Sequence, residues 1–483
     1  MNTPTFLWHD YETFGVDPSR DRPSQFAAIR TDMELNIIGE PMMWYCKPAD
    51  DVLPQPEACL ITGVTPQQCL RKGVCEAEFM ALIDEQMSRP NTCSVGYNSI
   101  RFDDEVSRYG FYRNFIDPYG REYLNGNSRW DLIDVLRMTY ALRPEGIEWP
   151  LNDDGLPSFR LELLTAANGI GHENAHDALS DVYATIAVAK LIKEKQPRLF
   201  DYAFKLRQKT VVGGMVDVNK LTPLFNVSGM FGSARGCISL VVPLLTHPVN
   251  KNEVICFDLL QSPQTLVAMT AEEIAQWLYT PARDLPAGVV RPALKSIHLN
   301  KSPMIGPAKM FTEDAAMAAR LGHDVQAYRE NFKALRTQDI AAIKAKLLAV
   351  YSQPREFAAI TDPDRMLYSG GFFSRDDKQT MARIRKMAPL ELAESSFSFD
   401  DGRLQEMLFR YRARNYPETL SLDEYQQWQE FRELRLMDPN GGGSITFEDY
   451  MLKIEQLFNE GRSDQQQQIL QALVEYADII GGG

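Results

Sequence analysis

The first 48 residues alternate between short apolar runs and turn-forming residues. The apolar runs are "TFLWHDYE" (5–12), "QFAAIRTD" (25–32), "LNIIG" (35–39) and "MMWYCKP" (42–48). Their length and their content of β-branched and aromatic residues are typical of strands, which predicts an antiparallel meander. From about residue 77 helical periods follow, and one further strand-like run, "TCSVGYN" (92–98), interrupts them.

The strongest helical signal is the segment "HDALSDVYATIAVAKLIKEKQP" (176–197). Leu179, Val182, Tyr183 and Ile186 recur at helical spacing, and Pro197 marks the predicted end of the helix. Strands followed by mixed helices and strands predict an α/β domain over residues 1–197.

The rest of the chain divides into two regions by pattern. Residues 198–350 contain the strand-like runs "CISLVVPLL" (237–245) and "EVICFDLL" (253–260), the turn-rich "DLPAGVVRP" (284–292) and a helical run "MFTEDAAMAARLG" (310–322). The strand-like runs in this region predict a small β-rich domain. Residues 351–483 are dominated by helical runs, among them "QEMLFRYRARNY" (405–416), "LDEYQQWQEFRELRLM" (422–437) and "DQQQQILQALVEYADII" (464–480).

Composition narrows the class of protein. Hydrophobic residues make up 44% and charged residues 24% of the 483 positions, as in an ordinary soluble globular protein. The net charge of −14 argues against coating nucleic acid by bulk charge but allows a local basic channel. No apolar run approaches the roughly 18 residues of a membrane-spanning helix, and we see no secretory signal. Seven scattered cysteines without a CxxC pair predict reduced thiols, so we expect a cytoplasmic protein.

Acidic residues recur at spacings that suit metal binding. Asp10 and Glu12 lie two apart on a predicted strand, so both face one side, about 6.6 Å apart. Alone, this pair is more typical of a strand whose polar face meets solvent. Asp103 and Asp104 follow a strand-like run, and Asp181 lies in the long predicted helix. Acids from one strand and two later helices are what a two-cation site needs, with its metals roughly 3.5–4 Å apart.

The order of these motifs resembles the DEDD exonuclease superfamily. The motifs are D-x-E at residues 10–12, N-x4-D at 98–103 and H-x4-D at 176–181. The superfamily has a tyrosine-bearing branch with Tyr four residues before its last Asp, where this chain has Asp177, so the histidine-bearing branch fits. Longer segments, including "DRPSQFAAIRTD", "NAHDALSDVYATIA", "VSGMFG", "HLNKSP" and "LFRYRARNYPETL", resemble the bacterial exonuclease I family over nearly the whole chain.

The resemblance implies a fold and a function. The fold is α/β: an RNase H-like exonuclease domain (1–197), an SH3-like β-rich domain (198–350) and a helical C-terminal domain (351–483). The implied function is metal-dependent, processive 3′→5′ degradation of single-stranded DNA to 5′-mononucleotides, in DNA repair and recombination, by a monomer associated with the bacterial nucleoid. An RNA-trimming or proofreading exonuclease of the same superfamily is the alternative enzyme. A non-catalytic scaffold is disfavoured because all five catalytic positions carry competent residues.

The resemblance also implies roles at the catalytic centre. Asp10, Glu12, Asp103 and Asp181 would hold two Mg²⁺ ions, for which Mn²⁺ could substitute, and Asp104 would be a neighbour. His176 would act as general base, together with Glu12 and Asp103 as catalytic residues, since an imidazole pKa near 6.5 suits proton abstraction at neutral pH. Glu12 would also contact the terminal 3′-hydroxyl, and Glu12 and Thr13 would be substrate-binding residues.

Further residues would bind DNA and a protein partner. Single-strand binding combines cations on phosphates with aromatic faces under bases. The implied substrate-binding residues are Arg108, Tyr119, Tyr123, Arg137, Arg160, Lys301, Tyr368 and Phe372. The acidic C-terminal tail of single-stranded DNA-binding protein would bind at Arg143, Tyr202 and Arg336, although Thr222 stands where the family has a basic residue.

One segment has two interpretations. Residues 438–449, "DPNGGGSITFED", resemble an EF-hand calcium loop between two helices. However, Gly442 and Asp449 stand where that loop requires an oxygen ligand and a bidentate Glu. A Gly-rich interhelical turn is therefore the favoured interpretation.

Overall fold

The structure, a computed structural model, describes residues 3–172, 177–353 and 359–481. These residues form two compact units, neither of which is continuous in sequence. The first unit comprises the described parts of Met1–Ser128, His172–Ile186 and Ala358–Gly483, and the second comprises those of Arg129–Gly171 and Ala187–Phe357.

The described residues form ten strands and 21 α-helices. The strands are β1 (Thr5–Thr13), β2 (Pro23–Thr31), β3 (Met42–Tyr45), β4 (Thr92–Gly96), β5 (Ser128–Asp131), β6 (Leu224–Val227), β7 (Ile238–Thr246), β8 (Glu253–Asp258), β9 (Leu294–His298) and β10 (Met304–Pro307). The helices are α1 (Pro56–Thr62), α2 (Pro66–Lys72), α3 (Glu76–Met87), α4 (Asp103–Arg113), α5 (Leu132–Leu142), α6 (Leu161–Ala167), α7 (Ala178–Lys195), α8 (Pro197–Lys205), α9 (Lys209–Met215), α10 (Pro263–Ala268), α11 (Ala271–Tyr279), α12 (Lys309–Thr312), α13 (Ala315–Arg320), α14 (Val325–Arg336), α15 (Ile340–Ser352), α16 (Arg375–Ile384), α17 (Pro389–Glu394), α18 (Arg403–Asn415), α19 (Leu422–Met437), α20 (Phe447–Phe458) and α21 (Asp464–Gly481).

The first sheet has the strand order β3-β2-β1-β4-β5, and the boundary between the two units passes through β5. The strands β1, β2 and β3 form the expected antiparallel meander, and β4 lies parallel to β1. The prediction of a strand over "LNIIG" is wrong. Leu35 has a left-handed backbone (φ 67°), and the Asp32 carboxylate accepts the backbone N–H groups of Glu34 and Asn36. The side chain of Asp32 therefore makes this run a turn.

The second unit contains the other sheet, in the order β10-β6-β7-β8-β9, with every neighbouring pair antiparallel. Its interior strand residues, such as Val241, Val242 and Phe257, are fully buried. The run "MFTEDAAMAARLG" is not one helix: α12 ends at Thr312 and α13 begins at Ala315. Asp314 caps α13 by accepting the backbone N–H of Met317 at 2.9 Å, and an N-cap residue requires a non-helical backbone.

Buried ion pairs join the start of the chain to the C-terminal helices of the first unit. The carboxylate of Asp51 lies 2.9 Å from Arg414 and 3.3 Å from Arg435. Asp364 lies 2.8 Å from Arg414 and 3.0 Å from Arg410. Burial alone would raise the pKa of Asp51, but Arg414 and Arg435 lower it well below its usual range. A buried charge needs such partners, because an unpaired one is strongly destabilising.

The segment 438–449 forms the turn after α19 and continues into the first turn of α20. Asp438 accepts the backbone N–H of Asn440 at 2.7 Å. The hydroxyl of Thr446 donates to Asp449 at 2.8 Å and caps α20. A Cβ at Gly443 would lie 2.6 Å from the carbonyl oxygen of Arg435, so only glycine fits there. These contacts match the favoured interpretation of a Gly-rich turn.

Candidate active site

The strand β1 brings two acidic side chains to one face of the first sheet. It lies between β2 and β4, and its Leu7 and Tyr11 join an apolar cluster with Phe26. Because successive side chains alternate between the faces of a strand, Asp10 and Glu12 face the opposite side from Tyr11. Glu12 is only 8% exposed. A buried strand thus delivers two carboxylates to a site rather than to solvent.

The first residue of α4 supplies a third carboxylate. The Oδ1 of Asp103 accepts the backbone N–H of Tyr11 at 3.1 Å, which ties the start of α4 to β1. The next acid, Asp104, is instead paired with Arg121 at 2.5 Å, and both of these side chains are almost fully buried. The two adjacent acids therefore have different surroundings, and, after burial, the charge of Asp103 contributes to raising the pKa values of Asp10 and Glu12.

Asp181, in the first turn of α7, supplies the fourth carboxylate. One carboxylate oxygen from each of Asp10, Glu12 and Asp181 lies within 4.8 Å of the others. Burial, followed by repulsion from Asp103 and Glu12, raises the pKa of Asp10 well above its usual range. Burial, followed by repulsion from Asp181 and Asp103, raises the pKa of Glu12 to about 9.

This donor set fits divalent metal ions. Carboxylate oxygens are hard ligands, and several of them gathered in a poorly solvated place repel one another unless protons or cations neutralise them. The pKa values of Asp10 and Glu12 are raised first by burial and then by that repulsion. Cations of charge +2 between the oxygens would remove it.

The predicted general base lies outside the described residues, and two nearby side chains were missed from sequence. His176 belongs to the four residues 173–176 that the structure does not describe. Asp177 accepts the backbone N–H of Ser180 at 3.2 Å, and its charge raises the pKa of Asp10 and Glu12. The Nε2 of His172 lies 2.5 Å from Oδ1 of Asp181. A second histidine so close to His176 in sequence was the available signal.

Exposed aromatic rings cluster on the first unit. Tyr119, Tyr123 and Phe372 line one cavity of about 210 Å³. Tyr123 is 64% and Phe372 86% exposed, which is unusual for large apolar side chains. The same cavity is lined by Lys378 of α16 and by Arg385, which directly follows that helix. The sequence did not single out these two cations because this part of the chain has the pattern of an ordinary polar helix.

Arg108 contacts Tyr119, one of the residues that line this cavity, and three other side chains. Its guanidinium donates to Glu122 and Glu105 at 2.8 and 2.6 Å and to the hydroxyl of Tyr368 at 3.1 Å. It also lies 5.4 Å from the ring centre of Tyr119. Arg108 therefore fixes two of the predicted stacking residues. Its own charge is largely compensated by the two carboxylates.

The second unit carries the other predicted DNA-binding residues. Arg137 lies 2.7 Å from Asp134 and 5.9 Å from the ring centre of Phe159. Gly229 leaves room for it, because a Cβ there would lie 3.0 Å from the guanidinium carbon. Arg160 is paired with Glu162 but its side chain is 70% exposed. Lys301 is exposed after β9.

A separate cavity of about 410 Å³ lies in the second unit. Arg143 and Tyr202, both predicted for the partner tail, line it together with Arg198, Leu199 and Met310. Burial raises the pKa of Tyr202 to about 12, and its hydroxyl donates to the carbonyl of Ile305 at 2.9 Å. The third predicted residue, Arg336, is exposed and packs 6.0 Å from the ring centre of Phe332.

Family models match three consecutive parts of the chain. The exonuclease model matches residues 7–189, the exonuclease I SH3-like domain matches 207–353 and the exonuclease I C-terminal domain matches 361–480. These matches confirm the predicted fold class: an RNase H-like α/β domain with an SH3-like domain and a helical C-terminal domain.

Individual relatives match over nearly their full length. The chain is 47% identical to exodeoxyribonuclease I of Haemophilus influenzae, and the alignment covers 98% of both chains. Its structure is similar to that of E. coli exonuclease I in complex with a dA16 oligonucleotide, with TM-score 0.94, 47% identity and coverage of 99% and 100%. The zinc-bound form of the E. coli enzyme with single-stranded DNA gives TM-score 0.94 and 46% identity, with the same coverage. Together with the carboxylate site, these matches show that the chain belongs to the bacterial exodeoxyribonuclease I family.

Proposed function

We propose that this protein hydrolyses single-stranded DNA from its 3′ end and releases 5′-mononucleotides processively. The observation that carries the proposal is the convergence of Asp10, Glu12 and Asp181 within 4.8 Å, with Asp103 bound to the backbone of β1. A relative at 47% identity is named exodeoxyribonuclease I. The SH3-like and C-terminal matches favour this activity over an RNA-trimming exonuclease, which consists of little more than the catalytic domain.

The proposed cofactor is a pair of Mg²⁺ ions, with Mn²⁺ as a substitute. Asp10, Glu12, Asp103 and Asp181 would hold them. Bound divalent cations supply electrostatic stabilisation of the oxygens that attack and leave phosphorus. The carboxylates would hold the cations to which the scissile phosphate binds, and His176 would accept the proton of the attacking water.

The proposed contact for the terminal nucleotide uses the end of β1. Glu12 would accept a hydrogen bond from the terminal 3′-hydroxyl. Thr13 already donates its hydroxyl proton to the carbonyl oxygen of Gly15 at 2.6 Å, so its oxygen is left to accept. The single proton of the 3′-hydroxyl can go to only one of these acceptors at a time, and only a strand whose last nucleotide has a free 3′-hydroxyl can supply it.

The proposed path of the strand uses residues of both units. In the first unit, bases would stack on the exposed rings of Tyr123, Phe372 and Tyr368, next to Tyr119 and Arg108. Each stacked base contributes roughly 1–3 kcal/mol whatever its sequence. In the second unit, phosphates would meet Arg137, Arg160 and Lys301. Local cations of this kind let an acidic protein bind a polyanion.

We further propose a partner site in the second unit. Its cavity combines cations with apolar walls, through Arg143 and Arg198 beside Leu199 and Met310. That chemistry fits a peptide with acidic and apolar side chains, such as the acidic C-terminal tail of single-stranded DNA-binding protein. Tyr202 would pack against the apolar part of the tail, and Arg336 would add charge.

The proposed organisation is a monomer with domain boundaries at residues 197 and 350, acting in the bacterial cytoplasm near the nucleoid. All seven cysteines are free and none is exposed, which supports a reducing compartment. Among the described residues no helix is long and apolar enough to cross a membrane.

The test is a digestion of a 5′-labelled single-stranded oligonucleotide with and without Mg²⁺. We expect stepwise shortening from the unlabelled end that stops when the metal is chelated. The matched RNA oligomer and a DNA oligomer with a 3′-phosphate should resist. Equal digestion of the RNA would favour the RNA-trimming alternative, and release of the 5′ label as the first product would contradict the proposed polarity.

A further inference from the structure

Asp181 has a buried neighbour that the resemblance does not assign. The Nε2 of His172 lies 2.5 Å from Oδ1 of Asp181, and the side chain of His172 is only 4% exposed. Both residues belong to the first unit. A ring nitrogen that is shielded from water and within hydrogen-bond distance of a carboxylate oxygen donates its N–H to that oxygen, and such a bond to a charged acceptor is strong.

The carboxylate of Asp181 must point into the site to act as a ligand. It lies on the first turn of α7, and rotation of its side chain decides where its oxygens point. One carboxylate oxygen from each of Asp181, Asp10 and Glu12 lies within 4.8 Å of the others, and charged carboxylates at this distance repel one another unless a cation lies between them. This repulsion favours rotamers that turn the Asp181 carboxylate away. The bond from His172 opposes that rotation, because it fixes one oxygen and thereby the direction of the other.

We propose that His172 is a positioning residue that orients Asp181 for a divalent cation. The proposal rests on the proposed function in one respect, namely that Asp181 is a metal ligand. His172 does not need to contact the DNA or the water. Its role differs from that of His176, which would exchange a proton with the water. Partners of metal ligands act in this way generally, and their loss costs about 10–100-fold in metal affinity or activity.

The test measures binding of Mg²⁺ alone to the full-length, DNA-free protein by isothermal titration calorimetry. His172→Leu removes the N–H and keeps a similar volume. His172→Gln keeps an N–H at a similar distance from the backbone, and His172→Asn keeps an N–H that is too short to reach. We expect about 10–100-fold weaker Mg²⁺ binding for the Leu and Asn variants. The Gln variant should stay within about three-fold of the wild type.

Asp181→Asn separates this inference from the proposed function. If Asp181→Asn loses Mg²⁺ binding while His172→Leu and His172→Asn bind like the wild type, the positioning role is refuted and the carboxylate site stands. If Asp181→Asn binds like the wild type, the metal site itself is wrong. Tighter binding by His172→Leu would mean that His172 competes with the cation, which also overturns the proposal. Should the Leu variant fail to unfold cooperatively, the difference in Mg²⁺ affinity between the Gln and Asn variants decides the question.

Discussion

Removing one acid from the site should stabilise the metal-free protein, although the acid is buried and central. In Glu12→Gln an amide of nearly the same shape replaces a carboxyl whose pKa is raised to about 9 by burial and by the charge of Asp181. A raised pKa in the folded state means that the carboxylate form is disfavoured there. At neutral pH the folded protein therefore holds a proton that the unfolded chain releases, and this costs stability.

The magnitude follows from the pKa values. The ordinary pKa of a glutamate is 4.5, so a working pH of 7.5 lies about three pH units above it. Each unit corresponds to ~1.36 kcal/mol, and the loss of unfolding free energy caused by the raised pKa therefore cannot exceed ~4 kcal/mol. Neighbouring acids that also take up protons relieve part of it. We expect Glu12→Gln to raise the free energy of unfolding by about 1–4 kcal/mol in the presence of a chelator.

The assay is chemical denaturation at pH 7.5, once with EDTA and once with saturating Mg²⁺. With Mg²⁺ the order should reverse, because bound metal stabilises the wild type by mass action and the variant has lost a ligand. Glu40→Gln, at an exposed position of the same unit, is the matched control and should change little in either condition. A variant that is less stable than the wild type with EDTA, or that gains as much from Mg²⁺, would refute the reasoning.

Three further outcomes are expected. The stability of the wild type relative to Glu12→Gln, both with EDTA, should fall as pH rises from about 5 to 9, since folded Glu12 holds a proton in that range that the unfolded chain has released; a difference in denaturation midpoint that does not change with pH would contradict this. Arg414→Ala removes the shorter of the two arginine contacts that Asp51 and Asp364 each make, and leaves Arg435 and Arg410 to compensate two buried carboxylates; it should cost ~3–5 kcal/mol of unfolding free energy, whereas a cost under ~1 kcal/mol would show that the Arg414 pairs matter little. Phe372→Ala should weaken single-strand binding by about 1–3 kcal/mol in fluorescence anisotropy; Leu422→Ala, at another exposed position (89%), serves as control, and equal affinities would remove Phe372 from the proposed path.

The sequence predicted the strands and long helices well because their periodicity is local. The strand β1, the helix α7 and the helix α19 lie where the pattern put them. The errors fell where a single polar side chain decides the backbone. Asp32 turned an apolar run into a turn, and Asp314 divided a helical run by capping the second half. Apolar content alone does not reveal either effect, since the competing hydrogen bond is made by the side chain.

The residues of the site also divide into those that sequence motifs predicted and those whose contacts only the structure shows. Asp10, Glu12 and Asp181 were predicted from ordered motifs, and the structure brings their oxygens together. Asp103 could be distinguished from Asp104 only by the resemblance, whereas the structure shows the physical reason, the burial of Arg121 against Asp104. The closeness of His172 to His176 in sequence was visible, but its contact with Asp181 could not be predicted, because that contact depends on how the chain approaches α7. A proposed metal ligand and the residue that contacts it have no fixed separation in sequence.

The central claim is that four carboxylates hold a pair of divalent cations, and one measurement tests it most directly. Crystals of the protein soaked with Mn²⁺ and a single-stranded oligonucleotide would be measured at the manganese absorption edge. The account predicts two anomalous peaks, about 3.5–4 Å apart, bounded by the oxygens of Asp10, Glu12, Asp103 and Asp181. Carboxylates that turn away from each other with no anomalous peak between them would contradict the account.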